Sequence, residues 1–169
     1  MSPAPTHAPL LNDHDRLALQ TEAEARPDRV IVTDSGRGRF EQLLFNGRHI
    51  ALADEPVADG GADAGPGPYD LLLMALGACT SMTLRLYASR KHWPLERTVV
   101  RLSHEKRYGE DCRDCADKNV GIDHIDRRIE LIGALDDSQR ARLLEIANKC
   151  PVHRTLTSSV RIETSLAAA

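Results

Sequence analysis

The chain has 169 residues, 41% of them apolar and 28% charged, and a net charge of -3. That length is enough for one domain with a core of its own, and the charge argues against a nucleic-acid or anionic-membrane partner, which would need a basic patch. Aromatic residues make up only 4%, so the core is expected to consist of Leu, Val, Ile and Ala.

No uninterrupted apolar run approaches the roughly 18–20 residues of a membrane span. The opening "MSPAPTHAPLLNDHD" has neither the basic region nor the apolar region of a secretory signal. A cytoplasmic location with no membrane partner is therefore expected. In a reducing compartment, the four cysteines Cys79, Cys112, Cys115 and Cys150 belong more naturally to catalysis or metal binding than to structural bridges.

Residues 1–28 are rich in Pro and Ala and lack a clean apolar period, so they read as a tail or linker; the domain proper spans 29–169. Regular structure is expected to begin near "RVIVT". In "FEQLLFNGRHIAL", Asn46-Gly47 lies between two apolar runs and predicts a type I′ hairpin. "DEPVADGGADAGPGP" is too rich in Gly, Pro and Asp for regular structure and reads as a loop. "PYDLLLMALGACTSMTLRLYASRKH" then predicts a long helix from about Tyr69 or Asp70 to His92, with Asp70 as its N-cap. From Leu71 to Cys79 this helix is apolar on every side, which places it inside the protein or its dimer.

"ERTVVRLSHEKRY" and "IDHIDRRIELIG" follow as two strands around the loop "GEDCRDCADKNVG". A hairpin closing symmetrically about that loop puts Cys112 and Cys115 at its tip and faces His104 with His124. Two Cys and two His form a complete tetrahedral zinc set; the same CxxC also fits an accessory disulfide or a plain polar loop. "LDDSQRARLLEIANK" predicts an amphipathic helix whose capping box joins Asp136 and Gln139. Cys150-Pro151 opens a short helical turn, and "SVRIETSL" is expected to be a last strand. The order of elements gives an α+β class with a mainly antiparallel sheet.

Cys79, in mid-helix, is either a small buried hydrophobe or a nucleophile that needs a nearby cation. Cys150 lies 71 residues further on, where Pro151 suits the first helical position and leaves Cys150 as the N-cap. There, free backbone N–H groups favour a thiolate. A nucleophilic thiol and a second thiol to resolve its sulfenic acid are the minimum equipment of a thiol peroxidase. His153 could support the Cys150 thiolate or simply lie on the helix surface.

"PYDLLLMALGACTSMTL" followed by "LEIANKCPVHRTL" resembles the OsmC/Ohr family of organic hydroperoxide reductases, over roughly residues 30–166. "DEPVADGGADAGPGPYDLLLMALGACTS" resembles, more narrowly, an OsmC-like branch whose domains also occur fused behind α/β-hydrolase domains. The resemblance implies an OsmC/Ohr-like fold, an entwined homodimer around a long buried central helix, and active sites at the subunit interface. It implies that Cys79 attacks an organic (lipid or alkyl) hydroperoxide, that Cys150 resolves the sulfenic acid, and that a dihydrolipoyl-type or small thiol reduces the disulfide, without metal, haem or flavin.

In the family an arginine of the first hairpin activates the peroxidatic cysteine and is held by a helix glutamate. Here Arg37 is the preferred arginine, with Arg39 as its rival, and Tyr69 stands at the glutamate position. The apolar channel is expected to involve Tyr69, Leu72, Met74, Leu76 and Met82. Two other functions compete with the peroxidase. One is a binding module for an apolar or thiol ligand that partners a hydrolase; the other is a zinc-stabilised protein built on Cys112, Cys115, His104 and His124.

Overall fold

A computed structural model describes residues 30–107 and 122–167. The chain divides between Leu71 and Leu72 into two compact units.

The N-terminal unit contains β1 (Ile31–Asp34), β2 (Gln42–Phe45) and β3 (Ile50–Ala53), an antiparallel sheet in that order. Leu43 and Phe45 of β2 are buried and alternate with half-buried neighbours, the period of a strand with one covered face. Gly36, at φ 71°, turns the chain out of β1. The β2–β3 hairpin forms, but not as a type I′ turn. That turn needs positive φ at both central residues, and among the described non-glycine residues only Asp63 and His92 have it. Instead, the Asn46 side chain accepts the Arg48 and His49 N–H groups at 3.2 and 2.8 Å, closing a longer loop.

The Gly/Pro/Asp-rich segment after β3 is a loop with one short 3-10 turn, Val57–Asp59. The buried Asp54 carboxylate organises it by accepting the N–H groups of Glu55, Ala62 and Ala64 at 2.9–3.2 Å. Burial opposes ionisation, yet these three donors hold the Asp54 pKa below its ordinary value. Gly61 is required here, because a Cβ would come within 1.9 Å of the Glu55 carbonyl oxygen.

The long helix α1 (Pro68–Arg90) begins with Pro at its first position, where the missing N–H costs nothing. Asp70 is therefore not the N-cap but the third helical residue. Its carboxylate reaches back to accept the Gly67 N–H at 3.2 Å and complements the positive helix end. The helix ends two residues before the expected His92, which turns the chain with φ 55°.

The C-terminal unit holds α1 from Leu72 onward, β4 (Arg97–Arg107), β5 (Ile122–Ile132), α2 (Asp137–Ala147) and α3 (Pro151–Leu156). β4 and β5 form an antiparallel hairpin. The capping box is present: Asp136 accepts the Gln139 N–H at 2.8 Å, and the Gln139 side chain accepts the Asp136 N–H at 3.2 Å. Leu84 and Ala88 of α1 pack with Leu95, Leu135, Leu143, Ile146 and Ala147 in one buried cluster.

By length and composition α1 is apolar enough to cross a membrane, contrary to the expectation from uninterrupted runs. Averaging over the helix tolerates Thr80, Ser81 and Thr83, which interrupt a strict count. In this fold its residues Leu84 and Ala88 are part of a protein core. The expected last strand over 159–166 does not form. A strand needs a neighbour's backbone groups; among the described residues none pairs with this segment, and Ile162 and Leu166 are 85% and 99% exposed.

Candidate active site

Leu76, Thr80, Leu84 and Ala88 follow one another at intervals of four and form the buried stripe of α1. Cys79 precedes Thr80 and so lies at the edge of this stripe, half-buried. At the α2–α3 junction Cys150 is fully buried and occupies the N-cap of α3, with Pro151 at the first helical position. The fold thus brings the two distant cysteines together. The Val152 N–H points to Cys79 Sγ at 3.5 Å, the next N–H, of His153, to Cys150 Sγ at 3.3 Å. Both cysteines are free thiols.

Burial pushes the Cys150 thiol up. The His153 N–H, the Thr80 hydroxyl, the Cys79 thiol and the Arg127 charge together outweigh it, so the net shift is downward. This agrees with the N-cap reading: donors left unpaired at a helix start stabilise a sulfur anion. The His153 imidazole is held below its ordinary value by burial first and by the Arg127 charge second.

Arg127 is the site residue that sequence reasoning missed. One of its Nη atoms donates to Thr80 Oγ1 at 2.9 Å and to the Ala147 carbonyl at 3.3 Å, the other to Asn148 Oδ1 at 2.8 Å. The signal was present in the strand period. Residues 125, 127, 129 and 131 of β5 share one face, and Arg127 interrupts an otherwise apolar Ile, Ile, Leu row. Beside it opens a cavity of about 410 Å³ whose wall includes Leu76, Ile125, Arg127, Leu144, His153 and Leu156.

The remaining candidates occupy varied places. Arg37 lies in the turn after β1, where Glu41, only 8% exposed, accepts its Nε–H at 2.7 Å. Arg39 instead rests over the Phe40 ring, 4.8 Å from its centroid. Leu76 is buried and lines the cavity, whereas Tyr69, Leu72, Met74 and Met82 are exposed in the single chain. His104 pairs with Ile125 and His124 with Glu105. That register is one residue away from the expected one, and a one-residue offset puts the two histidines on opposite faces. His104 bonds Asp123 at 2.8 Å. Cys112 and Cys115 lie outside the described residues, and no His/Cys/Asp/Glu group able to hold a metal occurs among those described.

The profile of the OsmC-like protein family matches residues 60–165, and the chain belongs to this family. No functionally curated protein matches it. Among solved structures it is similar to an OsmC-like protein from Mycoplasma pneumoniae (18% identity, 76% of this chain and 86% of that one, TM-score 0.57). It is also similar to an organic hydroperoxide resistance protein OsmC from Legionella pneumophila (14%, 76% and 89%, 0.54). A third is the organic hydroperoxide resistance protein OhrB of Bacillus subtilis (16%, 76% and 90%, 0.54). At these identities the likeness establishes the OsmC/Ohr fold: antiparallel sheets with a long helix.

Proposed function

We propose that this protein is a cysteine-based thiol peroxidase that reduces organic hydroperoxides. The observation that carries the reading is the meeting of Cys79 and Cys150, each facing a backbone donor from successive residues of α3. The Cys79 thiolate attacks the distal peroxide oxygen. The S–O bond forms as the O–O bond breaks, and the alkoxide takes a proton to leave as the alcohol. Cys150 then attacks the Cys79 sulfenic acid, an S–S bond replaces the S–O bond, and water departs. Two equivalents of an external thiol restore both cysteines and leave as the oxidised disulfide.

In this reading Arg37 supplies the cation that the chemistry needs. A buried carboxylate holds it, as the resemblance requires, but that carboxylate is Glu41, four residues along the same turn. Tyr69 then has no negative charge to supply. The working form is proposed to be a cytoplasmic homodimer. A second apolar stripe of α1, Met74, Ala78, Met82 and Leu86, is exposed in the single chain, as are Val160, Ile162 and Leu166 of the segment after α3, which finds no strand partner among the described residues. Both are surfaces that a second copy would cover.

The test is to add one equivalent of cumene hydroperoxide to the reduced protein and map its disulfides by mass spectrometry. A rapid Cys79–Cys150 bridge, absent from Cys79→Ser and Cys150→Ser, is expected. A protein that stays reduced, or oxidises only at Cys112 and Cys115, refutes the peroxidase and leaves the ligand-binding module as the better reading.

A further inference from the structure

The peroxidase reading leaves Arg127 unused, yet this guanidinium is anchored on three sides and pairs with no carboxylate among the described residues. A cation without a counterion beside a buried thiol calls for an explanation. The fully buried Thr80 hydroxyl connects the two. Its oxygen receives Arg127 at 2.9 Å, donates to the Leu76 carbonyl at 2.8 Å and lies 3.7 Å from Cys150 Sγ.

A hydroxyl has one proton and two lone pairs, so these contacts permit two arrangements. With Cys150 as a thiol, the S–H donates to Thr80 Oγ1 while Thr80 donates to Leu76. With Cys150 as a thiolate, the Thr80 proton turns to the sulfur, and the Leu76 carbonyl keeps the backbone N–H it receives as an interior helix acceptor. Arg127 donates to the same oxygen in both arrangements. It polarises the hydroxyl and makes it the better donor to an anion, as in other charge-assisted chains.

We propose that Arg127 is a positioning residue that acts through Thr80 to hold Cys150 ready as the thiolate that closes the disulfide. The proposal rests on the assignment of Cys150 as the resolving cysteine. In the step it serves, a Cys150 sulfur lone pair forms the S–S bond and the Cys79 S–O bond breaks. The oxygen leaves as hydroxide and takes from solvent the proton that Cys150 had released. The groups facing Cys150 are the Cys79 thiol and Thr80 from α1, Arg127 from β5 and the His153 N–H from α3; the His153 imidazole shares the cavity wall with Arg127.

The experiment leaves Cys150 as the one thiol, in a Cys79→Ser, Cys112→Ser, Cys115→Ser background, and follows its ionisation by thiolate ultraviolet absorbance. Thr80→Ser, which keeps the hydroxyl, is expected to titrate as the parent does. Thr80→Val and Arg127→Met should each move the midpoint upward by about one pH unit, or about tenfold less thiolate at a fixed lower pH. Arg127→Lys, which keeps the charge, should fall between. Unchanged midpoints in Thr80→Val and Arg127→Met, or in whichever of the two retains the parent's circular dichroism, overturn the proposal. So does a shift in Thr80→Ser as large as in Thr80→Val. Because no peroxide enters this titration, a relay that behaves as expected in a protein that forms no disulfide would refute the peroxidase alone.

Discussion

The two apolar stripes of α1 are made of similar residues and meet opposite environments. Leu76, Thr80, Leu84 and Ala88 are buried, while Met74, Ala78, Met82 and Leu86 are exposed in the single chain. The stripes are offset by two residues, which at about 100° per residue places them on nearly opposite sides of the helix. The inner stripe has a visible reason for each member: Leu84 and Ala88 join the core cluster, Leu76 lines the cavity, and Thr80 links Arg127 to Cys150. The outer stripe has no such partners among the described residues. A helix that reads as apolar all round therefore presents two separate faces, one covered by its own chain and one that the proposed dimer would cover.

The largest test of this contrast is truncation of the inner stripe. Leu84 has no exposed surface and sits among Leu95, Leu135 and Leu143. Leu84→Ala leaves a cavity that close packing fills poorly and should cost about 2–5 kcal/mol. Met82, 71% exposed, should lose less than about 0.5 kcal/mol as Met82→Ala in the monomer. Urea unfolding of both variants at low protein concentration measures the difference, and equal losses would break the distinction between the stripes.

A smaller effect on the fold, and a large one on assembly, is expected from the outer stripe. Met82→Glu combined with Leu86→Glu puts charges where the proposed dimer would bury apolar surface. Sedimentation should show the mass falling from two chains to one while the far-ultraviolet circular dichroism is unchanged. A wild-type protein that already sediments as a single chain would remove the dimer, and with it the purpose assigned to this face.

The same contrast marks how far the sequence could be read. The strands up to β5, the capped helix at Asp136 and the Cys150 N-cap were legible because each depends on neighbours in sequence: a period of two, a residue pair three apart, a proline after a cysteine. The two cysteines were legible as a pair through the family motif. Arg127 showed only as a break in an apolar row of β5; its role was not legible, since it depends on Thr80 and Asn148, 47 residues before it and 21 after it. The hairpin register was lost for a related reason: assuming symmetry about the CxxC fixed His104 against His124, while the strands pair one residue out of that register. The type I′ turn failed because Asn46 uses its side chain to bridge the loop, an alternative open to Asn in any turn.

The smallest expected effect asks whether the charge behind the inner stripe reaches the cavity wall. Burial and then the Arg127 charge hold the His153 imidazole below its ordinary value of 6.5. The unfolded chain therefore takes up this proton at a higher pH than the folded one. Wherever the unfolded state binds more protons, stability falls as pH falls. The His153 contribution should thus be present above pH 6.5, begin to decline there, and be lost once pH drops below the folded value. His153→Gln should flatten that part of the stability–pH curve relative to the wild type. Arg127→Met removes the repulsion but keeps most of the burial, so the imidazole midpoint, followed by NMR, should move partway back towards 6.5. A midpoint unmoved by Arg127→Met would mean that burial alone sets His153. The guanidinium's influence would then be confined to the Thr80–Cys150 side, where its hydrogen bonds already point.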